Sequence, residues 1–289
     1  MLGVYLHIPY CRTLCPYCDF VKERSRTTVP LPFVEAVCRE IGAFEGPREA
    51  GSVFFGGGTP SLLTEEGLGQ VMEALFTRFD LAGAEITLEA NPDDVTAPMM
   101  KAWRAMGVNR VSLGVQSFDR AVLKYLGRRH DADAARRACA IIADHFDTWS
   151  LDLIFGAPPI EAWGATLAET VAIDPPHVSA YGLTYEPGTP FEKRADRAIS
   201  EEESLAMFRE AEEALHAYDH YEISNYALPG HACRHNLACW RGADYLGLGP
   251  AAASRIGLWR WTNAPDLRRY MERVARGAPP PRARERLRA

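Results

Sequence analysis

The stretch YLHIPYCRTLCPYCDF, residues 5–20, sets Cys11, Cys15 and Cys18 within eight positions of a 289-residue chain that holds only seven cysteines. A structural zinc site takes four ligands and usually draws them as two separated pairs. A disulfide framework takes an even number of thiols and an oxidising compartment. Three thiols spaced C-x3-C-x2-C in one loop, with no fourth close behind, match neither. They suit a cubane iron–sulfur cluster in which protein holds three irons and the fourth is left open. Tyr10, Tyr17 and Phe20, interleaved with the cysteines, would shield such a cluster from water.

Outward from this loop, short β-branched or aromatic runs alternate with helix-period segments. Strands are expected at 3–7, 52–55, 85–89, 110–114, 150–154 and 177–181, and helices at 32–44, 65–79, 98–106, 132–145 and 161–173. Such alternation argues for parallel strands joined by right-handed crossovers. The expected fold is therefore α/β, a partial (β/α)6 barrel with a C-terminal extension. The core is expected over 1–230, with the barrel to about residue 185 followed by a charged helix (200–218) and a strand. The extension is expected over 231–289.

Composition agrees. At 47% hydrophobic the chain can bury one large core, and a net charge of −6 offers no surface for nucleic acid. No run of 18 apolar residues exists, and strand-like sequence begins at Gly3, so neither a membrane span nor a signal peptide is expected. The expected location is the cytoplasm, where clustered cysteines usually mean metal or redox chemistry.

In a parallel barrel the chemistry gathers at the carboxyl ends of the strands. The polar motifs fall there in turn: the cysteine loop, GGGTP (56–60), EANP (89–92), Gln116 and Asp152. Glycines 56–58 either make a tight turn or let the backbone approach a ligand closely; their spacing is not that of a nucleotide loop. Asp152, flanked by Leu151, Leu153, Ile154 and Phe155, needs a hydrogen-bonding ligand or a cation if it is buried. Cys38 and Cys139, on amphipathic helices, read as core thiols. A second rich segment, HACRHNLACW (231–240), offers His231, Cys233, His235 and Cys239 as zinc ligands, or one imidazole or thiolate to a haem. The plain alternative is a loop packed against Trp240, Tyr245, Trp259 and Trp261.

Taken together, YLHIPYCRTLCPYCDF, FFGGGTPSLL, EANP, RVSLGVQSF, LDLIFG and ISNYALPG with CRHNLACWRGADYLGLGP resemble one family. It is the radical S-adenosylmethionine (SAM) proteins related to oxygen-independent coproporphyrinogen III dehydrogenase. The resemblance runs from Tyr5 to about Arg255 and is nearest to the haem chaperone branch. It implies a [4Fe–4S] cluster on Cys11, Cys15 and Cys18, with SAM chelating the open iron. Tyr5, Gly57, Gly58, Thr59 and Glu89 match positions that contact SAM or frame its pocket. Gln116, Arg128 and Asp152 match positions that contact SAM or a second nucleoside.

Phe20 stands where the dehydrogenases carry a further cysteine. With the HN..CW segment, it points to a chaperone that binds haem as cargo and delivers it to haem-requiring proteins of respiration. His235 is the implied haem contact. Partners implied are haem, haem-accepting proteins, an electron donor for the cluster, and peripheral membrane contact through the acceptors; nucleic acid is not among them. The alternative is oxidative decarboxylation of coproporphyrinogen III on the same cofactors. The chain departs from the family pattern in three places. Cys239 replaces a tyrosine, Ala253 a histidine, and the loop 157–162 is short. The family's C-terminal helical domain is expected to be missing.

Overall fold

The computed structural model describes residues 1–278 and 282–287. The chain first runs through β1 (Leu2–Ile8), the two-residue strands β2 (Tyr10–Cys11) and β3 (Glu23–Arg24), α1 (Leu31–Gly42) and β4 (Ala50–Gly57). There follow α2 (Glu65–Arg78), β5 (Glu85–Ala90), α3 (Ala97–Ala105), β6 (Arg110–Gln116), α4 (Arg120–Tyr125), α5 (Ala132–Ala143), β7 (Trp149–Phe155), α6 (Ala162–Ile173) and β8 (His177–Gly182). The remainder holds α7 (Glu201–Ala214), β9 (Asp219–His220), β10 (Asn225–Ala227), α8 (Arg234–Trp240) and β11 (Tyr245–Leu248). The chain ends in β12 (Ala253–Ile256), β13 (Trp259–Asn263), α9 (Leu267–Ala275) and β14 (Arg282–Arg286).

Several helices begin where a side chain satisfies a free amide. Thr64 accepts from Gly67 N, Thr96 from Met99 N, Asp119 from Ala121 N and Val122 N, and Asp131 from Ala134 N. Ser200 and Glu203 close a capping box at the start of α7.

Among the described residues, β2 and β3 pair with each other, and the other strands form one sheet in the order β14-β13-β12-β11-β1-β4-β5-β6-β7-β8-β10-β9. The six expected strands are present and parallel, β1-β4-β5-β6-β7-β8. A seventh parallel strand, β11, lies on the other side of β1 and pairs Tyr5 with Gly247. Antiparallel strands extend the sheet at both ends. The α/β expectation holds, as an open barrel-like sheet whose outermost strands among the described residues are β14 and β9.

Alternation along the strands separates two environments. Val111, Leu113, Val115, Leu151, Leu153, Val178 and Ala180 point outward and are buried in the core beneath the helices. The residues between them line one internal cavity: Arg110, Ser112, Gly114 and Gln116 on β6, Ser150, Asp152 and Ile154 on β7, and His177, Ser179 and Tyr181 on β8.

Candidate functional site

The cavity measures about 570 Å³ and runs from the cysteine loop at the carboxyl rim down to Arg110 and His177. Cys11, Cys15 and Cys18 all line it and are free thiols. The loop that carries them is tied down on several sides. Arg12 pairs with buried Asp94 at 2.7 Å, and Asp94 also accepts from Ser61 at 2.8 Å. His7 Nε2 donates to Val21 O at 2.7 Å, Phe191 N donates to Pro16 O at 3.1 Å, and Lys22 donates to Cys18 O.

Two donors point at sulfur. Thr59 Oγ1 lies 3.4 Å from Cys11 Sγ, and Arg128 Nη1 lies 3.7 Å from Cys15 Sγ. Burial pushes the Cys11 thiol up to about 11, with the Thr59 hydrogen bond working in the other direction. A metal that takes the thiolate therefore displaces a proton. Among the described residues, no three His, Cys, Asp or Glu side chains are grouped to hold a single ion. A cubane places that demand differently, because three thiolates bind three separate irons. Soft sulfur donors in one shielded loop, with hydrogen-bond donors aimed at two of them, fit such a cluster.

The other expected site residues gather on the same wall. Gly57, Gly58, Thr59, Glu89, Gln116, Arg128 and Asp152 line the cavity. The glycines are fixed first by close packing. Gly57 has φ of 106°, and a Cβ there would stand 2.4 Å from the His7 ring; one on Gly58 would meet Ile8 O at 2.7 Å. In exchange Gly57 N donates to Glu89 Oε2 at 3.2 Å. Gln116 sits at a β-bulge with φ of 69°, which turns its side chain into the cavity.

Arg128 donates from Nη2 to Gly114 O at 2.7 Å and to Asn91 Oδ1. Asp152 accepts from Ser112 at 2.7 Å and from Ser150 at 3.0 Å, so hydroxyls meet the demand its apolar neighbours create. Burial, and then Asp152, raise Glu89 to about 8; burial raises Asp152 as well. Glu89, which burial keeps protonated when nothing cationic is present, and Asp152, whose charge burial opposes, both favour a positively charged ligand.

Tyr5 stands behind the wall. It stacks on Phe54, which lines the cavity, and its hydroxyl donates to His7 Nδ1 at 3.1 Å. It frames the pocket through these two neighbours.

His235 differs from the expectation. It is 7% exposed, bonded to Ser52 Oγ at 2.9 Å and packed against Phe54 and Gly3, and it does not line the cavity. The cause is the start of α8, whose Arg234 and His235 amides are held by Glu85, turning His235 inward. Its neighbour Asn236 faces the cavity, while Cys239 and Trp240 are exposed. Phe20 lines the cavity mouth and is 58% exposed, so it covers less than its composition suggests.

Several lining residues carry no local signal in the sequence. Ser112, Ser150, Ser179, His177 and Arg110 look like ordinary strand residues until the inward register is known. Asn91 is one whose motif was visible: it joins Arg128 to Thr59, donating to Thr59 Oγ1 at 3.2 Å.

Three thiols at the carboxyl rim of an open parallel sheet, over a cavity lined by Gly57, Glu89, Gln116 and Arg128, define a radical SAM protein, and the Radical SAM superfamily model matches residues 5–168. Relatives named heme chaperone HemW are 40% identical in Synechocystis, 38% in Escherichia coli and 37% in Mycobacterium tuberculosis. These matches cover 88%, 88% and 94% of this chain, and 66%, 70% and 74% of the respective relatives. The solved coproporphyrinogen III oxidase HemN of E. coli superposes with a TM-score of 0.86 at 26% identity, over 99% of this chain and 72% of that one. The chain belongs to the HemW family of radical SAM proteins.

Proposed function

We propose that this protein carries haem on a radical-SAM scaffold and passes it to haem-requiring acceptors. The observation that carries this reading is Phe20 at the cavity mouth, where the related dehydrogenases hold a further cysteine. The printed names of the relatives support the same choice.

Cys11, Cys15 and Cys18 would hold a [4Fe–4S] cluster, with Glu89, Gln116, Arg128, Asp152 and the Gly57–Thr59 turn receiving SAM. When bound, these groups supply one-electron reductive cleavage of a sulfonium. The chain's own residues do the rest. Thr59 and Arg128 stabilise negative sulfur, Gly57 N orients the Glu89 carboxyl, and Phe54 with Tyr5 closes the wall against water. An electron donor and the haem acceptors complete the cycle, and the setting is the cytoplasm; no helix among the described residues is long and apolar enough to cross a membrane. The haem contact passes from buried His235 to the exposed end of α8, where the Cys239 thiol can give up its proton to ligate iron.

The test is anaerobic reconstitution to about four irons per chain, then titration with haem and incubation with coproporphyrinogen III, SAM and a reductant. A haem spectrum that changes on Cys239→Ala, with no protoporphyrinogen formed, is expected. Robust protoporphyrinogen production overturns the reading, as does failure to bind haem.

A further inference from the structure

The floor of the cavity holds hydrogen-bonding atoms with no partner among the described residues. Arg110 is 2% exposed and lines the cavity, yet among the described residues its Nε and Nη2 have no hydrogen-bond partner; neither does Nδ1 of His177, also in the lining, nor Oγ1 of buried Thr87 beside Arg110. Thr87 is the register partner of Arg110, and His177 is that of Ser150. The orphaned atoms thus lie on β5, β6 and β8, which with β7 are neighbours in the sheet. A buried cation whose donors stay unmet is costly, and the sheet leaves this one in place.

The nearby carboxylates are engaged elsewhere. Glu85 accepts from Arg234 N and His235 N, each at 3.1 Å, and from the Cys233 thiol at 3.5 Å. Asp152 accepts from Ser112 and Ser150. Both offset the charge of Arg110 without taking its hydrogen bonds.

The identity of the free atoms is informative. Nε and Nη2 form one edge of the guanidinium plane, and their N–H bonds run nearly parallel, at the spacing of the two oxygens of a carboxylate. His177 adds to this edge. Its Nε2 lies 2.8 Å from Tyr221 OH, whose oxygen also accepts from Cys233 N at 3.3 Å. The Tyr221 proton is then free for Nε2, which leaves the ring proton on Nδ1 as a donor. Above the floor, Ser112, Ser150 and Ser179 line the cavity with small side chains, leaving a passage to the rim.

We propose that the cavity floor is a carboxylate-binding subsite, with Arg110 as a two-pronged clamp and His177 Nδ1 as a further donor. Two sources present this chemistry: the propionate arms of haem, or a free small acid. The first rests on the haem-carrier reading; the second is independent of it.

Propionate itself is the probe for the subsite. At equal ionic strength it should raise the melting temperature of the wild-type protein by a few degrees over chloride, because a ligand of the native state stabilises it by mass action. Propionamide, of the same shape but with a single oxygen, should not. Arg110→Lys keeps the charge but loses the parallel fork, and should abolish the effect, as should Arg110→Gln. In the second arm, haem should bind the wild type at least tenfold more tightly than haem dimethyl ester, with the preference lost in Arg110→Lys. A propionate effect with equal binding of haem and its diester assigns the subsite to a free acid and upholds it. A propionate effect with no haem binding sinks the haem reading alone. Propionate acting like chloride on the wild type, together with haem binding indifferent to esterification and to Arg110→Lys, overturns the subsite.

Discussion

Arg128 reaches Cys15 across 3.7 Å from Nη1, while its Nη2 is anchored on Gly114 O at 2.7 Å. One guanidinium thus ties the cluster loop to β6 and places a buried positive charge against sulfur. A cation in this position favours the more negative, reduced state of a cluster. Arg128→Met should make the cluster's midpoint potential more negative, by ~60 mV for each ~1.4 kcal/mol of interaction lost. An EPR-monitored redox titration reads this, and an unchanged potential would count against the contact.

Glu89 gives a pH signature in the metal-free protein. Its folded pKa of about 8 exceeds the ordinary 4.5, so between those values the folded state holds a proton that the unfolded state has released. Its contribution to stability is full below pH 4.5 and declines as pH climbs toward 8, with a slope of at most ~1.4 kcal/mol per unit. Asp152 acts in the same direction, whereas His130 and His235, both lowered to about 4 by burial, gain stability as pH rises through their range. Comparing urea midpoints of the wild type and Glu89→Gln from pH 5 to 8 isolates the Glu89 part. Parallel curves would show that Glu89 titrates normally.

Asp152 accepts from the hydroxyls of Ser112 and Ser150, with Ser179 also in reach. Asp152→Asn keeps the shape but forces one hydroxyl to turn or go unmet. Cluster content should be intact while SAM binding weakens about 10- to 150-fold, equivalent to roughly 1.5–3 kcal/mol for a charged hydrogen bond. Calorimetric titration checks the affinity and iron analysis the cluster. Unaltered affinity in a less stable protein would make the role structural.

Two glycines should respond in opposite directions. Gly57→Ala places a Cβ 2.4 Å from the His7 ring at φ of 106°, and should cost about 1–3 kcal/mol. Gly69, inside α2, has nothing within 4 Å of its added Cβ, so Gly69→Ala should stabilise by roughly 0.5–1 kcal/mol. Chemical denaturation of both variants supplies the comparison; equal effects would mean that the Gly57 turn relaxes freely.

The rim of the site was legible because its residues announce themselves: three clustered thiols, a glycine run, and a carboxylate inside an apolar strand. The six parallel strands were legible for a related reason, as short β-branched or aromatic runs between helix-period segments stand out. The floor was not. Ser112, Ser150, His177 and Arg110 acquire meaning only once β6, β7 and β8 share one inward face. The inward direction of His235 was not legible either, because direction on a short helix depends on how its N-terminus is held, and Glu85, 150 positions earlier, holds it. The Gly- and Trp-rich stretch after α8 hid β11 for want of length; four residues with two apolar side chains carry no period.

The placement of β11 sets an order of assembly. One side of β1 pairs with β4, soon after in the chain, but the other pairs with residues 245–248. A ribosome-bound chain that has not reached Tyr245 therefore presents β1, with the cluster loop directly behind it, as a bare edge. Closing that edge joins residues far apart in sequence, Gly3 with Tyr245, the slowest kind of contact to form. Iron loaded before that moment would enter a loop supported on one side only, so durable metallation belongs after synthesis has passed β11.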